Sequence, residues 1–161
     1  MIEDRIKNLI RTWRAKSNNE GDQFASFVFI WFCFNAWLEN LSDRQTDRAM
    51  MDELRGKSDN MTSLIEAYDA VRASDEFFKR SLQHLMGMSK EEPIRDVRGR
   101  KQPISIENEN DFVNIIEAIY RIRCNLFHGG KDANDPRDQV LVKDAAIILK
   151  QWIGKLIESW K

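Results

Sequence analysis

Between Asp22 and Leu41 the chain carries Phe24, Phe27, Val28, Phe29, Ile30, Trp31, Phe32, Phe34, Trp37 and Leu38, so a helix over this segment is apolar nearly all round. A helix without a polar face must be enclosed, either by its own domain or by a partner subunit. The strongly apolar run itself, Phe27 to Phe34, has only about half the length a membrane span requires. Asp22, Asn35 and Glu39 bracket it. The segment therefore reads as the central helix of a bundle, N-capped by Asp22, with apolar surface to spare.

The rest of the sequence supplies a setting for that helix. Its 161 residues are 42% hydrophobic and 32% charged, with a formal net charge of -1. This predicts one ordered domain over residues 1–161, and it excludes a polycation that holds nucleic acid by bulk charge alone. Seven glycines and three prolines are too few turn residues for a sandwich or barrel of many short strands, so an all-α antiparallel bundle is expected. Ile2, Ile6, Leu9, Ile10 and Trp13 mark a first amphipathic helix. Shorter helices follow at about Asp43 to Leu54, after Ser58, and from Ser74-Asp75-Glu76. Between residues 87 and 106 the helical pattern stops, which predicts an irregular loop or a short hairpin pairing Ile94–Val97 with Pro103–Ile106. A helix from Glu107 to His128 ends at Gly129-Gly130. The last begins at Pro136 and carries the stripe Leu141, Ala145, Ile148, Leu149, Trp152, Ile153, Leu156 and Trp160.

Cys33 and Cys124 are far apart, form no CxxC pair, and are accompanied by only two histidines, His84 and His128. No zinc site and no other cofactor is expected. The opening MIEDRIKNLI has no signal-peptide core, so a reduced, cytoplasmic location without membrane contact is the expectation.

On the Glu107–His128 segment, placed at about 100° per residue, Phe112, Ile115, Ile116, Ile119, Ile122, Leu126 and Phe127 form one apolar arc with Arg123 in its middle. Arg121, Asn125 and His128 gather on the other side. The segment thus offers a guanidinium that matches phosphate oxygens, an amide, and an imidazole able to move a proton near neutral pH. No carboxylate cluster stands nearby to hold magnesium. Arg95, Arg98, Arg100 and Lys101 in the insertion, with Arg121 and Lys131, are candidate contacts to a nucleic-acid backbone. Each residue also has a plainer reading. Arg123 could lock the bundle by pairing with a buried carboxylate, His128 could answer the helix dipole, the basic loop could be a solvated turn, and His84 could be a bystander.

The string Ile122-Arg123-Cys124-Asn125-Leu126-Phe127-His128-Gly129-Gly130-Lys131 resembles the Arg-x4-His signature of the HEPN superfamily, as do Phe34-Asn35-Ala36-Trp37 in the second helix and Asp135-Pro136-Arg137-Asp138 opening the last. One position differs: active members usually carry a polar residue directly after the motif arginine, where this chain has Cys124, with Asn125 one place later. The resemblance implies a helical bundle and a metal-independent endoribonuclease of toxin–antitoxin or antiphage systems. It implies a homodimer in which two Arg-x4-His segments share one cleft, with an antitoxin or other defence-system protein as a further partner. Arg123, His128 and Asn125 would be the catalytic residues, cleaving RNA to 2′,3′-cyclic phosphate and 5′-hydroxyl ends. Two alternatives stand beside it: a non-catalytic HEPN module that binds RNA, a nucleotide or a protein, and a helical dimer in which Arg123 is purely structural.

Overall fold

A computed structural model describes residues 2–96, 98–129 and 131–160. Val97 of the expected hairpin, Gly130 of the glycine pair and the side chain of Ile2 fall outside the described residues. The chain folds into seven α-helices among those residues: α1 (Ile2–Asn18), α2 (Gln23–Leu41), α3 (Asp47–Arg55), α4 (Thr62–Ser74), α5 (Glu76–Glu91), α6 (Phe112–Phe127) and α7 (Pro136–Glu158). A 3-10 turn, Asp59–Met61, precedes α4. The expected all-α bundle is what forms.

Local chemistry fixes the ends. Asp22, Asp75 and Asp135 each accept a backbone N–H in the first turn of the following helix, from Ala25 at 2.9 Å, Phe78 at 2.8 Å and Asp138 at 3.0 Å, which satisfies donors no helical carbonyl can reach. Three boundaries differ from the sequence expectation. Helix α3 begins at Asp47 rather than about Asp43, with Thr46 as its N-cap. Helix α5 passes through Gly87 and stops only at Glu91, because Glu92 precedes Pro93 and is driven to an extended conformation (φ -142°, ψ 106°). Helix α6 begins at Phe112 rather than Glu107. The intervening residues fold on their own side chains, with the Glu107 N–H bonded to Asp111 at 3.0 Å and the Asn110 N–H to Asn108 at 2.8 Å, a turn chemistry that competes with helix. In the insertion Ile94 and Ile104 form a single antiparallel bridge, with backbone bonds of 2.8 and 3.0 Å.

The last helix, not the second, is the one the others stack against. Helix α7 touches α1, α2, α4, α5 and α6. Its Trp152 is fully buried and donates its indole N–H to the Leu64 carbonyl of α4 at 2.8 Å. Around it lie Phe34 of α2 and Tyr68 of α4, each with ring centroids 5.1 Å away, and Phe112 of α6 at 6.3 Å. One indole thereby fastens three neighbouring helices to α7, and its polar edge is satisfied.

Helix α2 packs between α1 and α7. Among the described residues it alone is long and apolar enough, by length and composition, to cross a membrane. Its Phe27, Ile30, Trp31, Cys33, Phe34, Trp37 and Leu38 are buried. Its outer face is partly covered by Trp13 of α1, whose ring lies 5.6 Å from Phe29 and 5.1 Å from Phe32. Phe32 and Leu9 stay exposed, so some surplus apolar surface remains.

Cys33 is fully buried, with its thiol 3.3 Å from the Ile10 carbonyl, and burial pushes it from 9.0 up to about 12. A folded-state value above the unfolded one gives stability that is complete below the unfolded pKa and is lost as pH rises toward the folded one. The buried phenols of Tyr68 and Tyr120 are raised in the same way. Lys150, lowered by burial and by Arg14, opposes them. At about pH 8 a thiol reagent should therefore label the half-buried Cys124 and spare Cys33 until the protein unfolds. Chemical denaturation should show stability falling between about pH 9 and 12.

Candidate functional site

Helix α6 turns most of its apolar arc inward, with Phe112, Ile115, Ile116, Ile119 and Ile122 buried, but at its C-terminal end Leu126 is half-buried and Phe127 is exposed. On the other side of the helix, one turn before Arg121, sits a buried carboxylate: Glu117 is 2% exposed. It is held by Arg48 of α3, whose guanidinium lies 2.5 and 3.0 Å from its two oxygens, and by Arg121 one turn on at 4.0 Å. Arg48 also binds Asp52 and lies over the Tyr120 ring at 4.9 Å. Two arginines around a buried acid satisfy the charge that burial alone would make costly.

The face of α6 opposite the core is covered by the insertion. Arg121, itself buried, donates to the carbonyls of Ile94 at 3.0 Å and Gln102 at 2.8 Å, one from each side of the Ile94–Ile104 bridge. Asn125, also buried, donates to the Arg95 carbonyl at 3.1 Å, and its side-chain amide oxygen has no hydrogen-bond partner among the described residues. These two side chains fasten the loop to α6, while Ser89 of α5 holds its far end, accepting from the Ile106 N–H and the Ser105 hydroxyl at 2.9 Å each.

Between the insertion, α3 and α6 runs a groove of about 350 Å³. Arg48, Tyr120, Arg121 and Cys124 form its floor, and Asp96, Arg98, Arg100, Lys101 and His128 its rim. Five permanent cations thus face one carboxylate on a chain whose net charge is -1. Arg98, Arg100 and Lys101 are exposed and have no ion-pair partner among the described residues. Burial, and then the adjacent Cys124, push the Tyr120 phenol up, so the floor offers a neutral hydroxyl. This is the lining an anionic polymer would meet.

His128 caps α6 outside the helical region (φ -98°, ψ 15°), and Gly129 follows with φ 74°, the left-handed turn glycine supplies at a helix end. The imidazole is exposed and has no partner among the described side chains. Arg123 lies elsewhere on the helix. It pairs with Asp47, in the first turn of α3, at 2.9 Å and sits over the rings of Phe127, Trp31 and Tyr120 at 4.6, 5.5 and 5.8 Å.

The groove therefore brings together Arg98, Arg100, Lys101, Arg121 and His128 of the residues singled out from sequence, whereas Arg123 stands behind its floor, its guanidinium 3.7 Å from the Cys124 Sγ. Arg95, Asn125 and Lys131 line an adjoining depression instead. There Lys131 is nearly enclosed and bound to Asp138 at 3.0 Å. Sequence reasoning missed Arg48, Asp47, Tyr120 and Glu117. For Glu117 a signal existed, an acid inside the run Ile115-Ile116-Glu117-Ala118-Ile119. For Arg48 there was none, since α3 is charged throughout. No group of three or more His, Cys, Asp or Glu able to hold a metal ion occurs among the described residues.

No family model matches this sequence, and no curated protein or solved structure is significantly similar to it.

Because Glu117 pairs with the buried Arg121 and the part-exposed Arg48, Glu117→Gln should destabilise the fold by roughly 1–3 kcal/mol. Arg98→Ala and Arg100→Ala, at exposed positions, should each stay within about 0.5 kcal/mol of wild type. Urea denaturation of the three variants checks the contrast.

Proposed function

We propose that the chain is a metal-independent endoribonuclease of the HEPN type, acting as a homodimer on RNA in a toxin or antiphage defence setting. The observation that carries the reading is His128, an unpartnered imidazole on the rim of a cationic groove, five residues after an arginine that aromatic rings hold in place. In this reading Arg98, Arg100 and Lys101 track the RNA backbone. His128 takes the proton of a ribose 2′-hydroxyl as that oxygen attacks the adjacent phosphorus. The bond from phosphorus to the 5′-oxygen breaks, and a proton reaches the leaving oxygen from a second imidazole. The products are a 2′,3′-cyclic phosphate and a 5′-hydroxyl, and DNA is spared because it lacks the attacking group.

Five residues of helix rotate a side chain by about 140°, which is why one copy turns Arg123 and His128 to different surfaces. Two copies related by a twofold axis would let Arg123 of one stabilise the phosphate beside His128 of the other. The exposed Phe127 next to Arg123, and Phe32 and Leu9 farther off, are apolar surface that such pairing could use.

A second reading, a non-catalytic module that binds RNA in the same groove, is favoured by one contact. Asp47 neutralises Arg123 at 2.9 Å, while Cys124 stands where active members of the family carry a polar group.

A gel assay on mixed RNA in EDTA separates the two. His128→Ala should leave stability nearly unchanged and slow cleavage by about 100-fold or more, and light scattering should give a dimer. Cleavage by His128→Ala at the wild-type rate would overturn the catalytic assignment. RNA left intact by wild type and by Cys124→Asn alike, yet bound in a manner that Arg98→Ala and Arg100→Ala weaken, would establish the binding module.

A further inference from the structure

On the surface between α5 and α7, residues outside the groove form a second cluster. Helix α5 sets Phe77, Arg80, Ser81 and His84 on one face, at spacings of three, four and seven. Lys143, Asp144 and Ile147 of α7 stand opposite, and the two rows enclose a cleft of about 410 Å³. We propose that this cleft is a binding site for the phosphate group of a nucleotide, free or at the end of an RNA strand.

The centre of the site is the His84–Asp144 pair. Asp144 is buried, and the Nδ1 of His84 lies 2.7 Å from its Oδ2. The His84 side chain is nevertheless 57% exposed, so a ring tied to Asp144 through Nδ1 still lines the open cleft. With Nδ1 tied to a carboxylate, Nε2 is the ring nitrogen left for a ligand. Burial raises Asp144, and the hydrogen bond from His84 works against that rise, as two groups sharing one charge balance require. Arg80 and Lys143 flank the ring, exposed and with no ion-pair partner among the described residues. With the Ser81 hydroxyl they complete a set of donors suited to the oxygens of a phosphate dianion. Phe77, 65% exposed, is the most exposed of the large apolar side chains described. At the edge of a cationic cleft such a ring is a platform on which a base can stack. A lone exposed phenylalanine needs no explanation, but one sharing a cleft with four phosphate donors does. None of these residues lines the groove, so the site stands whether or not the chain cleaves RNA.

The test uses the full chain and nuclear magnetic resonance. His84 and His128 are the only histidines, so two imidazole resonances report, and His128→Ala assigns them. Adenosine 5′-monophosphate should shift the His84 resonance and bind about tenfold more tightly than inorganic phosphate, since only the former can stack. Phe77→Ala should remove that difference. Arg80→Ala and Lys143→Ala, both at exposed positions that leave folding intact, should each weaken both ligands about fivefold or more. A short oligoribonucleotide with a 5′-phosphate displaces the mononucleotide if an RNA end is the source, and fails to do so if a free nucleotide is. A His84 resonance that moves no further with phosphate than with sodium chloride at equal ionic strength would overturn the proposal. Unchanged affinity in the Arg80→Ala/Lys143→Ala double variant would do so as well, as would equal displacement by the dephosphorylated oligoribonucleotide.

Discussion

A carboxylate in the middle of α6 holds the functional side of the molecule together. Glu117 is buried, and a buried carboxylate is costly unless cations and hydrogen bonds meet it. Arg48 reaches it from α3 and Arg121 from one turn along α6. Each arginine then has hydrogen-bond donors left, and these are used outward. Arg48 ties Asp52 and covers Tyr120, while Arg121 takes two carbonyls of the insertion. A single buried charge thereby fixes α3 against α6 and fastens a loop that has only one β-bridge of its own.

The arginines of α6 illustrate how neighbouring identical side chains acquire different physics. Arg121 and Arg123 are two residues apart, about 200° around the helix. The first lies under the insertion and hydrogen-bonds to backbone, so its charge is spread into carbonyl dipoles. The second rests on three aromatic rings and meets Asp47 at the surface. The rim cations Arg98, Arg100 and Lys101 have no such partners. The groove therefore has a floor whose charges are largely balanced within the protein and a rim whose charges are not, and long-range attraction comes from the rim.

Much of this was legible in the sequence, and the exceptions share a cause. Helix count, the aspartate caps, the stripe of α7, the stop of α6 at Gly129 and the irregular insertion all follow from local pattern. The inward face of α6 followed as well, from its apolar period. Its other face did not. Arg121 and Asn125 share a side of the wheel with His128, and a wheel cannot show that residues 94, 95 and 102 return to cover two of the three. Lys131 is a parallel case: its enclosure depends on Asp138, which the sequence presents only as part of the Asp135-Pro136-Arg137-Asp138 start of the last helix. The start of α6 at Phe112 rather than Glu107 has a local origin, in Asn108 and Asp111 bonding to backbone, and was readable as turn chemistry.

The C-terminal end of α6 has a consequence for energetics. The position of His128 is set by backbone torsions, its own cap conformation and the left-handed Gly129 after it, and not by any contact of its ring with the described residues. No hydrogen bond among the described residues restrains its χ angles, and on the proposed reading that rotameric entropy would be surrendered when RNA binds, at a cost of about 0.5–1.5 kcal/mol. Arg123, wedged among aromatic rings, has already lost its freedom on folding. The two residues of the motif thus divide ordering between two events, one completed with the fold and one reserved for the encounter.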